Sequence, residues 1–309
     1  MDNKTPKNSI LLETGTNEIE IMQFTINGVL YGINVAKVKE IIMSDKVKPV
    51  PHVHPAVEGI FKPRDILITV IDLPYFVTGE TQEHHEKDLF IITHFNNLHV
   101  AFRVHTVVGI SRLSWKDIMK PDKTVAGDGD SITTGIAQCA GALVTILDFE
   151  KIVAEIAPET SIQLSEIEHM GVRERNLKPI VLAEDSVLLA KIIKEALVKA
   201  GYVNLEKFNN GQEAWNYLSK LSKESDEENI QEKVALIITD IEMPEMDGHR
   251  LTKLIKTDNN LKQVPVVIFS SLITPEMQIK GKAVGADEQL SKPEIGHLVE
   301  VMDQLLEGK

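Results

Sequence analysis

The sequence predicts two domains, an all-β domain followed by an α/β domain with a parallel sheet, and three observations carry that prediction. Over residues 1–157 the apolar residues fall in short alternating runs, IMQFTI, VLYGINV, ILITVIDL, HVAFRV and ALVTILDF. The turn pairs Asn27-Gly28, Asn96-Asn97 and Asp128-Gly129 lie between them. Alternation of period two marks strands with one buried face. Over residues 178–309 the apolar runs are continuous, IVLAE, ALIIT and VVIFS, and alternate with helix-length amphipathic segments. Parallel strands buried on both faces require that pattern. Between the two halves, residues 158–177 hold Pro158, mixed charges and weak periodicity, and Pro179 follows; they are expected to form a linker, in part helical.

Composition narrows the function. A chain of 309 residues with ordinary apolar content suits two globular domains. The net charge of -13 is shared between the halves: residues 1–177 carry 17 basic and 24 acidic side chains, residues 178–309 carry 16 and 22. Neither half has the basic balance that would neutralise nucleic-acid phosphates. Cys139 is the single cysteine, so a disulfide framework and a thiolate zinc site are excluded, as befits a reducing cytoplasm. The amino terminus MDNKTPKNSI lacks the apolar core of a signal peptide. No apolar run reaches the roughly 18 residues of a membrane span. A cytoplasmic protein without direct membrane insertion is expected.

The first half repeats itself. Gly59 to Leu73, GIFKPRDILITVIDL, overlies Gly135 to Phe149, GIAQCAGALVTILDF, at an offset of 76 with glycine, isoleucine, threonine and aspartate in register. Val29 to Ile41 overlies Leu98 to Ile110 when one gap is allowed. Two similar β-units are expected, each closing its own sheet edges. Such units present surfaces and a seam, with no chemistry of their own. His84, His85, His94, His99 and His105 are divided between strand faces and have no cysteine to help them, so packed or solvated histidines are expected rather than a metal site. Trp115 and Trp215 are expected to fill cores.

In the second half, KPIVLAED sets Glu184 and Asp185 at the carboxyl end of a first strand. VLLAKIIKEALVKAGY follows as a helix, with Val187, Leu188, Ile192, Ala196 and Leu197 at helical spacing and Gly201 to end it. ALIITD ends a third strand at Asp240, PVVIFSS a fourth at Ser270, and Lys292 stands just past a fifth. In an open parallel sheet those ends meet at one crevice. The acidic segment SKLSKESDEENIQEK is expected to be a solvated insertion.

The residue types at that crevice suit one chemistry. Clustered carboxylates repel one another unless a hard cation joins them, and an oxygen-rich site suits Mg²⁺. An ionised Asp240 is a nucleophile for a phosphoryl group, Lys292 is a point charge for the transferred oxygens, and Ser270 is a hydrogen-bond donor to them. Pro293 fixes the loop after Lys292, while Pro244 and Gly248 shape the loop after Asp240.

With Glu184, Asp185, Asp240, Ser270, Lys292 and Pro293 in that order, residues 178–309 resemble a response-regulator receiver domain, a doubly wound five-stranded parallel α/β fold. The resemblance implies that Asp240 accepts phosphate and that the backbone carbonyl of Glu242 joins Glu184, Asp185 and Asp240 around magnesium. It also implies self-dephosphorylation at most, without turnover of a small substrate. Receivers usually carry an aromatic residue three positions before the lysine, where this chain has Gln289.

Residues 1–157, through EIMQFTINGVLYGINVAKVKEII, VPHVHPAVEGIFKPRDILITVIDL and the closing ALVTILDF, resemble the CheW coupling proteins of bacterial chemotaxis, whose fold is two small SH3-like β-barrels. A CheW-like domain followed by a receiver resembles the CheV family. That resemblance implies docking on methyl-accepting receptor tips and on the histidine kinase CheA, with phosphate taken from CheA. Val35, Val38 and Glu40 would face the receptor, supported by Arg64. Family members usually have Leu-Arg-Gly there, and this chain has Pro63-Arg64-Asp65. The leading expectation is a scaffold at receptor clusters tuned by phosphorylation of Asp240. The alternatives are a phosphate sink that the first domain merely locates, and an enzyme acting on a small substrate.

Overall fold

The structure, a computed structural model, describes residues 17–119 and 131–307 apart from 97, 161, 172 and 228, so the expected Asp128-Gly129 turn lies outside the described residues. Contacts divide the chain into two compact units, one of residues 19–161 and one of residues 1–18 with 162–309.

The described part of the first unit is built on strands β1 (Glu18–Ile26, from Ile19 on), β2 (Val29–Asn34), β3 (Val38–Met43), β4 (Val57–Phe61), β5 (Ile68–Asp72), β6 (Leu89–Phe95), β7 (Leu98–Val104), β8 (Thr106–Ser114), β9 (Thr133–Cys139) and β10 (Ala142–Leu147). Helices α1 (Leu73–Thr78) and α2 (Phe149–Ile156) follow β5 and β10. The strands form two five-stranded sheets, in the orders β8-β1-β2-β10-β9 and β3-β6-β7-β5-β4. Each has one parallel pair at the same place, β2 with β10 and β7 with β5.

The two sheets are the two similar β-units that the repeat predicts, but neither is built from one copy of the repeat. One sheet is contiguous in sequence, β3 to β7, while the other joins β1 and β2 to β8, β9 and β10. Taken as repeats of five strands, β1–β5 and β6–β10 exchange their leading hairpins. Strand periodicity fixes which face is buried but not which strand is the neighbour. The two sheets also share a core. Phe24 of β1, Phe102 of β7 and Phe149 of α2 are fully buried, with Phe149 edge-on to Phe102 at 4.7 Å and to Phe24 at 6.1 Å.

The repeated residues do the same work twice. Asp72 caps α1 by accepting from the Tyr75 amide, and Asp148 caps α2 by accepting from the Lys151 amide. Gly59 and Gly135 each lie where a crossing segment bridges to the next residue, Lys48 to Ile60 and Met119 to Ile136. A Cβ at Gly59 would stand 2.2 Å from the Lys48 carbonyl oxygen, and one at Gly135 would stand 2.3 Å from Ile118 Cγ2.

The second unit carries one parallel sheet, ordered β12 (Leu205–Phe208), β11 (Ile180–Ala183), β13 (Leu236–Thr239), β14 (Val266–Ser270), β15 (Glu288–Ser291). On one face Ile193 and Leu197 of an amphipathic helix, Val187–Lys199, pack with Leu298 and Met302 of another, Ile295–Glu307. On the other face Ala214 and Leu218 of Gly211–Lys223 pack with Leu251 and Ile255 of Gly248–Thr257. Burial on both faces is why the strands read as unbroken apolar runs.

The segments read as a part-helical linker and as a solvated insertion both have packed residues, and the first does hold a helical turn, Ser165–Glu168. Within the stretch read as linker, residues 162–177 belong to this unit: Ile162 and Ile167 are buried in its core and Glu166 accepts from the Gly296 amide at 2.9 Å. Arg173 pairs with both oxygens of Asp303, and Lys178 donates to the Leu306 carbonyl. The acidic segment expected to be a solvated insertion ends in a helical turn, Ile230–Lys233, and Ile230 is fully buried. Asn260 ties the same segment down by donating to the carbonyls of Ser222 and Ser225. A charge count does not register one apolar anchor.

Candidate functional site

The sheet order 12-11-13-14-15 reverses direction at the β11/β13 pair, and the crevice of a parallel α/β sheet opens beyond the strand ends at such a reversal. Glu184 and Asp185 follow β11, Asp240 follows β13, Ser270 ends β14 and Lys292 follows β15. Residues up to 108 positions apart are thereby neighbours.

Glu184, Asp240, Ser270 and Lys292 are all buried, whereas Asp185 is half-buried. The Lys292 ammonium lies 2.7 Å from Asp240 Oδ2 and 3.0 Å from Glu184 Oε2. The remaining oxygens are held by backbone: Ile241 N–H donates to Asp240 Oδ1 at 2.6 Å and Ser186 N–H donates to Glu184 Oε1 at 3.1 Å. Ser186 also caps the following helix by accepting from the Leu189 amide. Ser270 Oγ accepts from the Leu272 amide, and the Lys292 amide donates to the Ser270 carbonyl at 3.2 Å. Gly248 serves close approach, because a Cβ there would stand 1.9 Å from the Asp240 carbonyl oxygen.

One oxygen each of Glu184, Asp185 and Asp240 lies within 4.8 Å of the others, with Lys292 as the ammonium contacting two of them. Burial raises the Glu184 carboxyl to about 8; Lys292 opposes the rise, and the charges of Asp240 and Asp185 add to it. Such a set of hard oxygen donors fits a divalent cation of the Mg²⁺ type, whose charge would relieve the repulsion. Chemically, the arrangement sets a carboxylate beside a fixed ammonium, with the Ser270 hydroxyl at the end of the adjacent strand, which suits capture of a phosphoryl group.

Gln289 of β15 reaches the neighbouring helix Pro275–Val284, where its amide nitrogen donates to the Gln278 carbonyl at 2.9 Å. Its side chain lies over Gly281, where a Cβ would come within 2.0 Å of Gln289 Oε1. Nothing in the sequence pairs the two residues, although a glycine midway along a helix is a visible sign of a close approach.

In the first unit, Val35 stands in a 3-10 turn, Val35–Lys37, and Val38 and Glu40 on β3; both valines are half-buried against the core. Arg64, largely exposed, reaches Glu40 at 3.6 Å, so those two candidates are neighbours. Trp115 is buried in a core cluster and Trp215 is packed against another. His84 lies 3.0 Å from Asp72, beside a buried network unread in the sequence, in which Arg103 grips Glu58 with two nitrogens and approaches Asp88. Among the described residues no helix is long and apolar enough to cross a membrane.

A family model of the CheW-like domain matches residues 20–157, and one of the response regulator receiver domain matches residues 180–303. Over 305 residues, 94% of this chain and 96% of the relative, the sequence is 29% identical to the chemotaxis protein CheV3 of Helicobacter pylori. Over 114 residues, 37% of this chain and 74% of the relative, it is 39% identical to the two-component response regulator ARR17 of Arabidopsis thaliana. Over 139 residues, 44% of this chain and 82% of the relative, it is 25% identical to the chemotaxis protein CheW of Treponema pallidum.

Proposed function

The chain belongs to the CheV-type family, in which a CheW-like domain is joined to a response-regulator receiver, and from that premise we propose that it is a switchable scaffold of bacterial chemotaxis. The CheW-like domain holds methyl-accepting receptors and the histidine kinase CheA together, and phosphorylation of Asp240 changes how tightly it does so. Val35, Val38 and Glu40 face the receptor, with Arg64 bracing Glu40. The protein works in the cytoplasm, gathered at receptor clusters on the inner face of the membrane.

The observation that carries this reading is the buried pairing of Lys292 with Asp240 at 2.7 Å, beside two further carboxylates. In the reaction, an oxygen of Asp240 attacks the phosphorus of a phosphohistidine on the kinase. The P–O bond forms, the P–N bond breaks, and the departing imidazole takes up a proton. Lys292 neutralises charge on the transferred oxygens and Ser270 donates a hydrogen bond to them. Mg²⁺, held by Glu184, Asp185, Asp240 and the Glu242 backbone carbonyl, would add neutralising charge. The acylphosphate then biases a two-state receiver.

The test is kinase activity in reconstituted receptor arrays, comparing the phosphorylated protein with Asp240→Asn. Different activities are expected, and equal ones would sink the switch. Should the receiver only drain phosphate, a protein lacking the CheW-like domain would drain the kinase in solution as fast as the whole chain.

A further inference from the structure

We propose that Asn17 is a positioning residue for the phosphoryl-accepting site, clamping the loop that carries the Glu242 carbonyl; the proposal rests on the reading of that carbonyl as a Mg²⁺ ligand. Asn17 belongs to the same compact unit as Asp240. Its side-chain nitrogen donates to the Glu245 carbonyl at 2.6 Å, and its side-chain oxygen accepts from the Asp247 amide at 3.2 Å. The residue is 6% exposed.

The loop from Ile241 to Asp247 leads from Asp240 to the helix Gly248–Thr257. Part of its backbone is satisfied by the loop itself and by Gly211. Met246 N–H donates to the Pro244 carbonyl at 2.7 Å, Gly248 N–H to the Ile241 carbonyl at 2.9 Å, and the Met246 carbonyl accepts from Gly211 at 3.2 Å. The Glu245 carbonyl and the Asp247 amide point to Asn17 instead. Glu245 itself stands in the left-handed region at φ 65°, a conformation that a non-glycine residue holds only when its neighbours enforce it.

The residue type fits the task. Asn17 also stands at φ 61°, where asparagine is among the few tolerated side chains. Its carboxamide supplies a donor and an acceptor on a short stem, so one side chain caps both backbone groups. Aspartate would lose the donor, and glycine would keep the backbone conformation while losing both bonds. Groups that orient ligands without touching the metal commonly set its affinity.

The experiment uses the full chain and Asn17→Gly, which preserves the left-handed backbone. Mg²⁺ binding is followed by calorimetric titration with the metal alone, and amide hydrogen exchange is read at Asp247, with Ile268 of β14 as an internal reference. The expected result is a loss of Mg²⁺ affinity of roughly tenfold, together with faster exchange at Asp247 and unchanged exchange at Ile268. Wild-type affinity in Asn17→Gly would overturn the proposal, as would unaltered exchange at Asp247. A wild-type chain that takes up no Mg²⁺ would instead refute the metal reading, and the positioning role with it.

Discussion

The ammonium of Lys292 sits 2.7 Å from Oδ2 of Asp240, with both side chains almost sealed from water. Because Glu184 shares the same ammonium at 3.0 Å, removing it leaves two buried carboxylates uncompensated. Lys292→Ala is therefore expected to slow labelling by a small phosphoryl donor such as acetyl phosphate by roughly 10²-fold, the usual cost of deleting one charge-stabilising donor. Asp240→Asn should take no label at all. Mass spectrometry of the intact protein reads both outcomes, and label in Asp240→Asn would show that another residue accepts the phosphate.

The Gln289–Gly281 contact predicts a reversal of sign. Alone, Gly281→Ala pushes the Gln289 carboxamide aside and should cost about 0.5–1.5 kcal/mol through loss of its hydrogen bond to the Gln278 carbonyl. In a Gln289→Ala background the obstruction is gone. The same change should then stabilise by up to about 1 kcal/mol, the helix preference for alanine over glycine. Urea denaturation of the four proteins gives the cycle. Additive effects would mean that the amide does not fill the notch.

The convergence of the candidate residues was legible because parallel strands impose one rule: their carboxyl ends share an edge, so Asp240, Ser270 and Lys292 had to meet there once the strands were recognised. No such rule exists for the β-half. There, alternation correctly predicted strands and the 76-residue offset correctly matched Asp72 with Asp148. The pairing of β8 with β1 across more than 80 residues is a tertiary choice that period two cannot encode. Gly281 and Asn17 escaped for a related reason. Each matters through a contact with residues distant in sequence, and neither stands in a motif.

The repeat predicts unequal costs at equivalent positions. Gly59 holds φ 147° with the Lys48 carbonyl directly above it, so Gly59→Ala meets rigid backbone as well as conformational strain. Gly135 is obstructed mainly by a methyl group of Ile118, a side-chain atom rather than backbone, and has no positive φ to strain. Gly59→Ala should destabilise by more than about 3 kcal/mol and Gly135→Ala by about 1–2 kcal/mol. Thermal melts of the two variants rank them, and equal losses would mean that the two crossings are equally yielding.

His249, buried on the helix Gly248–Thr257, makes stability depend on acid. Burial, reinforced by the charge of Lys280, holds its imidazole down at about 4, against a hydrogen bond with the Met277 backbone that pulls upward. Nε2 has no hydrogen-bond partner, so a proton placed there would be buried without an acceptor. The unfolded chain titrates near 6.5 and so binds more protons than the folded one between about pH 4 and 6.5. The contribution of His249 is therefore complete above about pH 6.5 and is lost as pH falls toward 4. Between pH 7 and pH 5 the wild type should lose about 2 kcal/mol more than His249→Gln, which has no titrating group at that position. Urea denaturation at both pH values measures the difference, and parallel losses in the two proteins would mean that His249 is protonated in the folded state without penalty.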